Sequence, residues 1–247
     1  MAHRGGAGLP ANEGKENTLA AFQQAVSLGY RYIETDVQAT RDGRLVCMHD
    51  LTLERVAGIV GPVADYTAAE LEGVTIGGEP VPFFDDVVDA LPETRFNVDL
   101  KTPDAVEPLV RAIATNHLEN RILVASFSQT TISRFRSLTE GKIPTAMSPV
   151  AAAWTGIVPV LSRIISSPAV AMQVPVSQPV GGLELPVVTR STIDRVHHLG
   201  KVIHVWTIDD ADEMNRLVDM GVDGIVTDRP DVLKDVLISR NLWETGI

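Results

Sequence analysis

Glu34, Asp36 and His49 are the residues whose types and spacing first suggest chemistry. They lie in the stretch 32–50, YIETDVQATRDGRLVCMHD, whose first half alternates: Ile33, Thr35 and Val37 fall on one face of an extended strand, Glu34, Asp36 and Gln38 on the other. Two carboxylates therefore project side by side. The Arg41-Asp42-Gly43 turn reverses the chain into a second extended run, 45–48, which ends in His49-Asp50 and brings a histidine close to the acids. Like charges held together are costly unless something neutralises them, so this face invites a cation or a basic side chain.

The elements that must position these residues follow from the patterning. A short strand at 2–4, shorter than usual, precedes a helix over 18–28 with apolar residues at Leu19, Phe22, Ala25 and Val26 and a stop at Gly29. The strand 30–38 follows. After Pro82 the alternation is regular: helix 83–91, strand 96–101, helix 105–116, strand 122–126, helix 129–138, strand 143–148 and an apolar helix within 151–165. Strand 170–174, helix 191–199, strand 201–207, helix 211–220, strand 224–227 and helix 232–240 complete the series. Eight strand-helix units predict an α/β chain folded as a closed (β/α)8 TIM barrel rather than an open doubly wound sheet. The segment 51–82 is irregular and rich in Gly and Pro, with a short helix at 67–71, and reads as a surface insertion after the second strand. No linker, composition shift or solenoid-period repeat divides the 247 residues, so residues 1–247 read as one domain.

In such barrels chemistry sits at the C-terminal ends of the strands. His3 and Arg4, Glu34 and Asp36, Asp99 and Lys101, Gln173 and Trp206 all fall there. A formal charge of −11 with scattered Lys and Arg argues against nucleic acid as a partner, and it means that an anionic substrate needs local positive groups such as Arg4 and Lys101. The single cysteine, Cys47, excludes an intrachain disulfide. No apolar signal core follows Met1 and no window reaches the ~18 uninterrupted apolar residues of a membrane span, so the expectation is a cytoplasmic chain without membrane insertion. The run 150–165, with Trp154, Ile157, Val158 and Leu161, could face lipid or a partner, but a helix packed on the barrel explains it equally well. Gly5-Gly6-Ala7-Gly8 shapes a turn more readily than it cradles phosphate, because no Lys-Ser/Thr follows. Oligomeric state is not legible.

Beyond the acidic pair, the chain carries His3-Arg4-Gly5, Glu16-Asn17-Thr18, Asp42-Gly43, His49-Asp50, Asn97-Val98-Asp99-Leu100-Lys101, Ser126-Phe127, Val205-Trp206-Thr207 and the run 221–230, GVDGIVTDRP. Together these motifs resemble the signature of the glycerophosphodiester phosphodiesterase family over nearly the whole chain. The resemblance implies a metal-dependent hydrolase that cleaves glycerophosphodiesters, as small-molecule substrates, to glycerol 3-phosphate and an alcohol through a cyclic phosphate intermediate. It implies Glu34, Asp36 and Asp99 as metal ligands, and their oxygen donors suit Mg²⁺ or Ca²⁺.

His3 and His49 are then the general acid and base, in an order the chain does not reveal. The resemblance also implies that Arg4, Lys101, Glu16 and Trp206 surround the substrate, with Trp206 as a wall at the glycerol end. The bland alternatives are salt bridges of the acids with Arg4 and Lys101, core packing for Trp206, and capping of the first helix by Asn17 and Thr18. His117, His197, His198 and His204 read as structural. The chain has Asp99 where the family usually has Glu, and Lys15 where its opening motif often has Pro after a shorter spacer. Rival readings are a lysophospholipase D-like phosphodiesterase of the same fold and a non-catalytic binding barrel.

Overall fold

The computed structural model of the chain describes residues 1–157 and 167–243. β1 (Ala2–His3) leads through a glycine turn into α1 (Leu19–Ser27), and β2 (Tyr32–Ala39) folds back on itself as β3 (Leu45–Cys47). An excursion then holds α2 (Glu54–Ala57), α3 (Ala68–Leu71) and the small hairpin β4 (Thr75–Ile76) and β5 (Glu79–Pro80). The regular alternation runs α4 (Phe84–Ala90), β6 (Arg95–Leu100), α5 (Val106–Thr115), β7 (Ile122–Ala125), α6 (Gln129–Leu138), α7 (Pro149–Ile157) and β8 (Ala171–Val174). A second hairpin, β9 (Ser177–Val180) and β10 (Leu183–Pro186), precedes α8 (Arg190–His198), β11 (Val202–Val205), α9 (Ala211–Met220), β12 (Gly224–Ile225) and α10 (Pro230–Ser239).

The strands close into a ring. β1, β2, β6 and β7 pair in parallel in that order, and β12, β11 and β8 form a second parallel run. Parallel bridges Val124–Thr145, Ala146–Ala171 and Ala2–Thr227 join the two runs. At these seams Ala146 N–H donates to the Val124 carbonyl at 2.9 Å, Met147 N–H to Ala171 at 2.7 Å and His3 N–H to Thr227 at 2.8 Å. The (β/α)8 barrel read from the pattern is therefore the architecture, but its fifth strand is reduced from 143–148 to the bridging pair Thr145 and Ala146. Pro144 has no N–H to give a ladder and Pro149 already opens α7, so the segment cannot extend.

Local chemistry explains the elements. Thr18 accepts from Ala21 N–H at 3.2 Å and so caps α1, which buries Ala21, Phe22 and Ala25 against the strands. Thr67 and Glu70 form a capping box on α3, the short helix expected at 67–71. The excursion is more than surface: Val46, Met48, Leu53, Val63, Leu71, Ile76, Val81 and Phe83 pack into a small core of their own. The β9–β10 hairpin was not expected. Gly181 and Gly182, at φ 59° and 83°, supply the two left-handed residues that such a tight turn demands. The rest of the apolar helix expected within 151–165, with Val158 and Leu161, lies outside the described residues, as do the side chains of Trp154 and Ile157. No helix among the described residues is long and apolar enough to cross a membrane.

Inside the barrel one polar chain crosses between strands: Gln173 Nε2 donates to Asn97 Oδ1 and to His204 Nδ1, each at 3.1 Å. Gly224 makes room for it, since a Cβ there would lie 2.8 Å from His204 Cδ2. Burial pushes the His204 imidazole down to about 4 from its usual 6.5. A folded pKa below the unfolded one gives stability that is complete above pH 6.5 and is lost as pH falls towards 4. We therefore expect His204→Asn to remove about 2–3 kcal/mol of the stability difference between pH 7 and 4.5, measured by urea unfolding at both pH values. Equal pH dependence in the two proteins would refute this.

Candidate active site

β1 ends in His3 and Arg4, and the chain turns at once, with Gly6 N–H bonded to the His3 carbonyl at 2.7 Å. Gly5, at φ 84°, packs so tightly on α1 that a Cβ would sit 2.8 Å from the Ala21 carbonyl carbon, so the glycine run shapes a turn. His3 points Nδ1 at Asp228 Oδ1, 2.8 Å away, and Nε2 at Glu34 Oε2, 3.8 Å away. Burial opposes the imidazolium, but the Asp228 hydrogen bond and the Glu34 charge outweigh it and hold the ring above its usual pKa.

The parallel register of β2 and β6 sets Asp36 directly beside Asp99, with Glu34 one pleat earlier and Lys101 one pleat later on the same face. Lys101 Nζ lies 2.8 Å from both Asp36 Oδ1 and Asp99 Oδ2. Arg4 Nε is 3.4 Å from Asp36 Oδ2, and Asn17 Nδ2 donates to the same oxygen at 3.0 Å. Burial works against the Asp36 charge, yet Lys101 and Arg4 prevail and hold the carboxyl below its usual range. Glu34 has less help: burial and the neighbouring Asp36 push it up to about 8, although it accepts the Arg4 backbone N–H at 3.1 Å. Burial likewise raises Asp99 despite Lys101, and its Oδ1 is buried without a partner.

These three acids test whether a divalent cation suits the site. In this arrangement Lys101 lies between two of them, and among the described residues no three His, Cys, Asp or Glu gather closely enough to hold a metal ion. The donor chemistry nonetheless fits. Three buried carboxylates face two side-chain cations, one carboxylate oxygen has no partner, and an all-oxygen set is what hard cations take. An unpaired buried carboxylate is costly, and a bound cation relieves that cost.

His49 stands at the end of the β3 arm, its Nδ1 2.8 Å from Asp50 Oδ1. The other Asp50 oxygen takes Arg55, and the Asp50 carbonyl is held by Gln38 Nε2. Arg55 also grips Glu16 at 2.7 and 2.8 Å, and Glu16 in turn holds Arg4 at 3.0 Å. Glu16 is thus a fixing carboxylate behind Arg4 and does not line the cleft. Thr18 takes the helix cap by itself, which frees Asn17, at φ 61°, to turn inward, where it holds Asp36 and accepts from Thr35 Oγ1 at 2.8 Å.

His3, Arg4, Glu34, Asp36, His49, Asp99, Lys101 and Trp206 line one cleft of about 680 Å³. Trp206 meets Phe127 edge-on, ring centroids 5.8 Å apart, and Phe127 lies 5.7 Å from Lys101 Nζ. Sequence reasoning gave no role to Asp50 and Asp228, which tie down Nδ1 of the two histidines and leave Nε2 as the nitrogen able to exchange a proton. Asp50 was visible beside His49, and Asp228 within the run 221–230, but neither spacing shows a contact. The other histidines stand apart. His197 bonds Asp223 at 2.8 Å, His198 bonds the Asp194 carbonyl at 3.1 Å, and His117 sits in a turn at φ 51°.

Fold and cleft together define a (β/α)8-barrel hydrolase, with basic groups, acids and imidazoles gathered at the C-terminal ends of its strands. The chain belongs to the glycerophosphoryl diester phosphodiesterase family, whose model matches residues 3–232, and it is by class a phosphoric diester hydrolase. It is 39% identical over 252 residues to "Probable glycerophosphodiester phosphodiesterase 2" of Mycobacterium tuberculosis, covering 99% of this chain and 92% of that one. Its fold is similar to an Oleispira antarctica phosphodiesterase in complex with the product sn-glycerol-3-phosphate, with TM-score 0.79, 20% identity and coverage of 96% and 95%. An Agrobacterium tumefaciens glycerophosphodiester phosphodiesterase matches with TM-score 0.76 and 24% identity over 95% and 97%.

Proposed function

We propose that this cleft hydrolyses glycerophosphodiesters to glycerol 3-phosphate and an alcohol, with His3 and His49 as general acid and base and with Glu34, Asp36 and Asp99 holding Mg²⁺ or Ca²⁺. The observation that carries the reading is that two imidazoles, each anchored through Nδ1 by a carboxylate, line the same cleft as the buried acids and two cations. Family membership and the 39% identical relative support the substrate class. When bound, the cation supplies Lewis-acid polarisation of the phosphate and offsets the charge of the acids. Arg4 and Lys101 contribute positive charge towards the phosphate oxygens, and Glu16 keeps Arg4 in place.

The route follows from proximity. The glycerol 2-hydroxyl lies next to the phosphate, and an oriented intramolecular nucleophile has an effective concentration of roughly 10⁵–10⁸ M. One histidine takes the hydroxyl proton as its oxygen attacks phosphorus, while the other protonates the departing alcohol, leaving a cyclic phosphate. Water then opens the ring with the two roles exchanged. A diester lacking the 2-hydroxyl is expected to react at least ~10²-fold more slowly than its parent, measured as alcohol release. Equal rates would favour direct attack by water.

A further inference from the structure

Arg55 stands outside the cleft, yet it joins two arms of the site. Its Nε donates to Asp50 Oδ2, while Nη1 and Nη2 donate to Glu16 Oε2 and Oε1 at 2.8 and 2.7 Å. Asp50 turns its other oxygen to His49 Nδ1 at 2.8 Å, and Glu16 Oε1 also takes Arg4 Nη1 at 3.0 Å. One guanidinium therefore reaches both the His49 imidazole and the Arg4 cation, each through a single carboxylate. Arg55, Asp50 and Glu16 do not themselves line the cleft.

An exposed ion pair by itself contributes little, and the Arg55 side chain is 52% exposed. Its geometry and its mount set it apart. The grip on Glu16 is bidentate, and Nε on Asp50 makes one planar group span two chain segments, which the point charge of an ammonium cannot do. The mount, α2, is held in the excursion's small core by the fully buried Leu53, with Val56 and Ala57 packed against it, and closes at Gly58, φ 69°. The same excursion holds the segment that carries Glu16 at two more points. Lys15 Nζ bonds Glu79 Oε1 at 2.9 Å, and Gly77 lies so close that a Cβ would sit 2.5 Å from the Gly14 carbonyl oxygen. Arg55, ahead of His49, holds Asp50 well below the usual carboxylate range. Burial opposes the Glu16 charge, but Arg55 and Arg4 outweigh it.

We propose that Arg55 is a positioning residue that couples proton transfer to phosphate binding: through Asp50 it sets the His49 ring, and through Glu16 it sets Arg4. The excursion is then the latch that fixes the spacing of these two groups. The assignment rests on the phosphodiesterase reading above, which it deepens. Without the guanidinium, among the described residues the Asp50 carboxylate keeps only His49 and the Glu16 carboxylate only Arg4. Arg55→Met is expected to lower kcat on a short glycerophosphodiester by about three- to tenfold, the ceiling being the loss expected for Asp50→Asn. It should also weaken binding of inorganic phosphate, measured by calorimetry without turnover, by roughly fivefold.

Double-mutant cycles separate the two arms from a merely structural role. In an Asp50→Asn background Arg55→Met should cost no further kcat, and in a Glu16→Gln background no further phosphate affinity. Arg55→Lys keeps the charge but loses the fork, so it should behave as Arg55→Met does. The ring ¹⁵N shifts of His49 should move from one Nδ1–H tautomer towards a mixture, while those of His3, held by Asp228, stay put. Losses that multiply in both backgrounds, or full rescue by lysine, would overturn the coupling while leaving the hydrolase reading intact. If no diester is cleaved, a changed His49 tautomer together with weakened phosphate binding would uphold the coupling and overturn the reading beneath it.

Discussion

Replacing His3 or His49 with alanine is expected to lower kcat on a short glycerophosphodiester by about 10²- to 10⁴-fold, with KM changed far less. Each ring is anchored through Nδ1, by Asp228 and Asp50 respectively, so each has one nitrogen left for proton transfer in a shared cleft. Losing the ring removes the proton carrier but no large part of the binding surface. Asp50→Asn and Asp228→Asn should cost less, about tenfold, because they disturb the tautomer and orientation of a ring that remains. Steady-state kinetics beside thermal melts checks both claims. Wild-type kcat in either alanine variant, or a loss matched by unfolding, would leave the histidines as packing residues.

The second large effect concerns Asp99. It lies beside Asp36 across the β2–β6 ladder, its Oδ2 on Lys101 and its Oδ1 buried without a partner. Asp99→Ala removes the carboxylate that balances Lys101 and completes the acidic set. The cation concentration for half-maximal activity should then rise by more than the ~10–100-fold typical of losing even an outer-shell partner. Asp99→Glu keeps the charge on the same strand position with one more methylene of reach, and should retain most activity. Activity titrated against Mg²⁺ for the three proteins is the measurement. An alanine curve superimposed on wild type would remove Asp99 from the cation site.

The barrel was legible because its signals are local. Strand alternation, caps such as Thr18 and stops such as Gly29 each act within a few residues, and eight such units imply closure. The β9–β10 hairpin is hidden in the sequence because Pro179 and Pro186 argue against strands, although Gly181-Gly182 is the pair a tight turn demands. The excursion's own core is not legible in the sequence because its members, from Val46 to Phe83, have no single period. The acidic face of β2 was readable from its period of two. That Asp36 sits beside Asp99 depends on register, which the chain order does not reveal. The pairing of His3 with Asp228 spans 225 positions and closes only with the ring. Asn17 shows the limit of local rules: its capping propensity was real, but Asp36 and Thr35 offered buried partners.

The most direct test of the whole account is product identity. The purified chain is incubated with glycerophosphoethanol and followed by phosphorus NMR, with Mg²⁺ or Ca²⁺ and again with excess chelator. Glycerol 3-phosphate and ethanol are expected in the presence of a cation, with little product under chelator. Glycerol with ethyl phosphate would contradict the orientation assigned to the cleft, and no product in any condition would contradict the hydrolase itself.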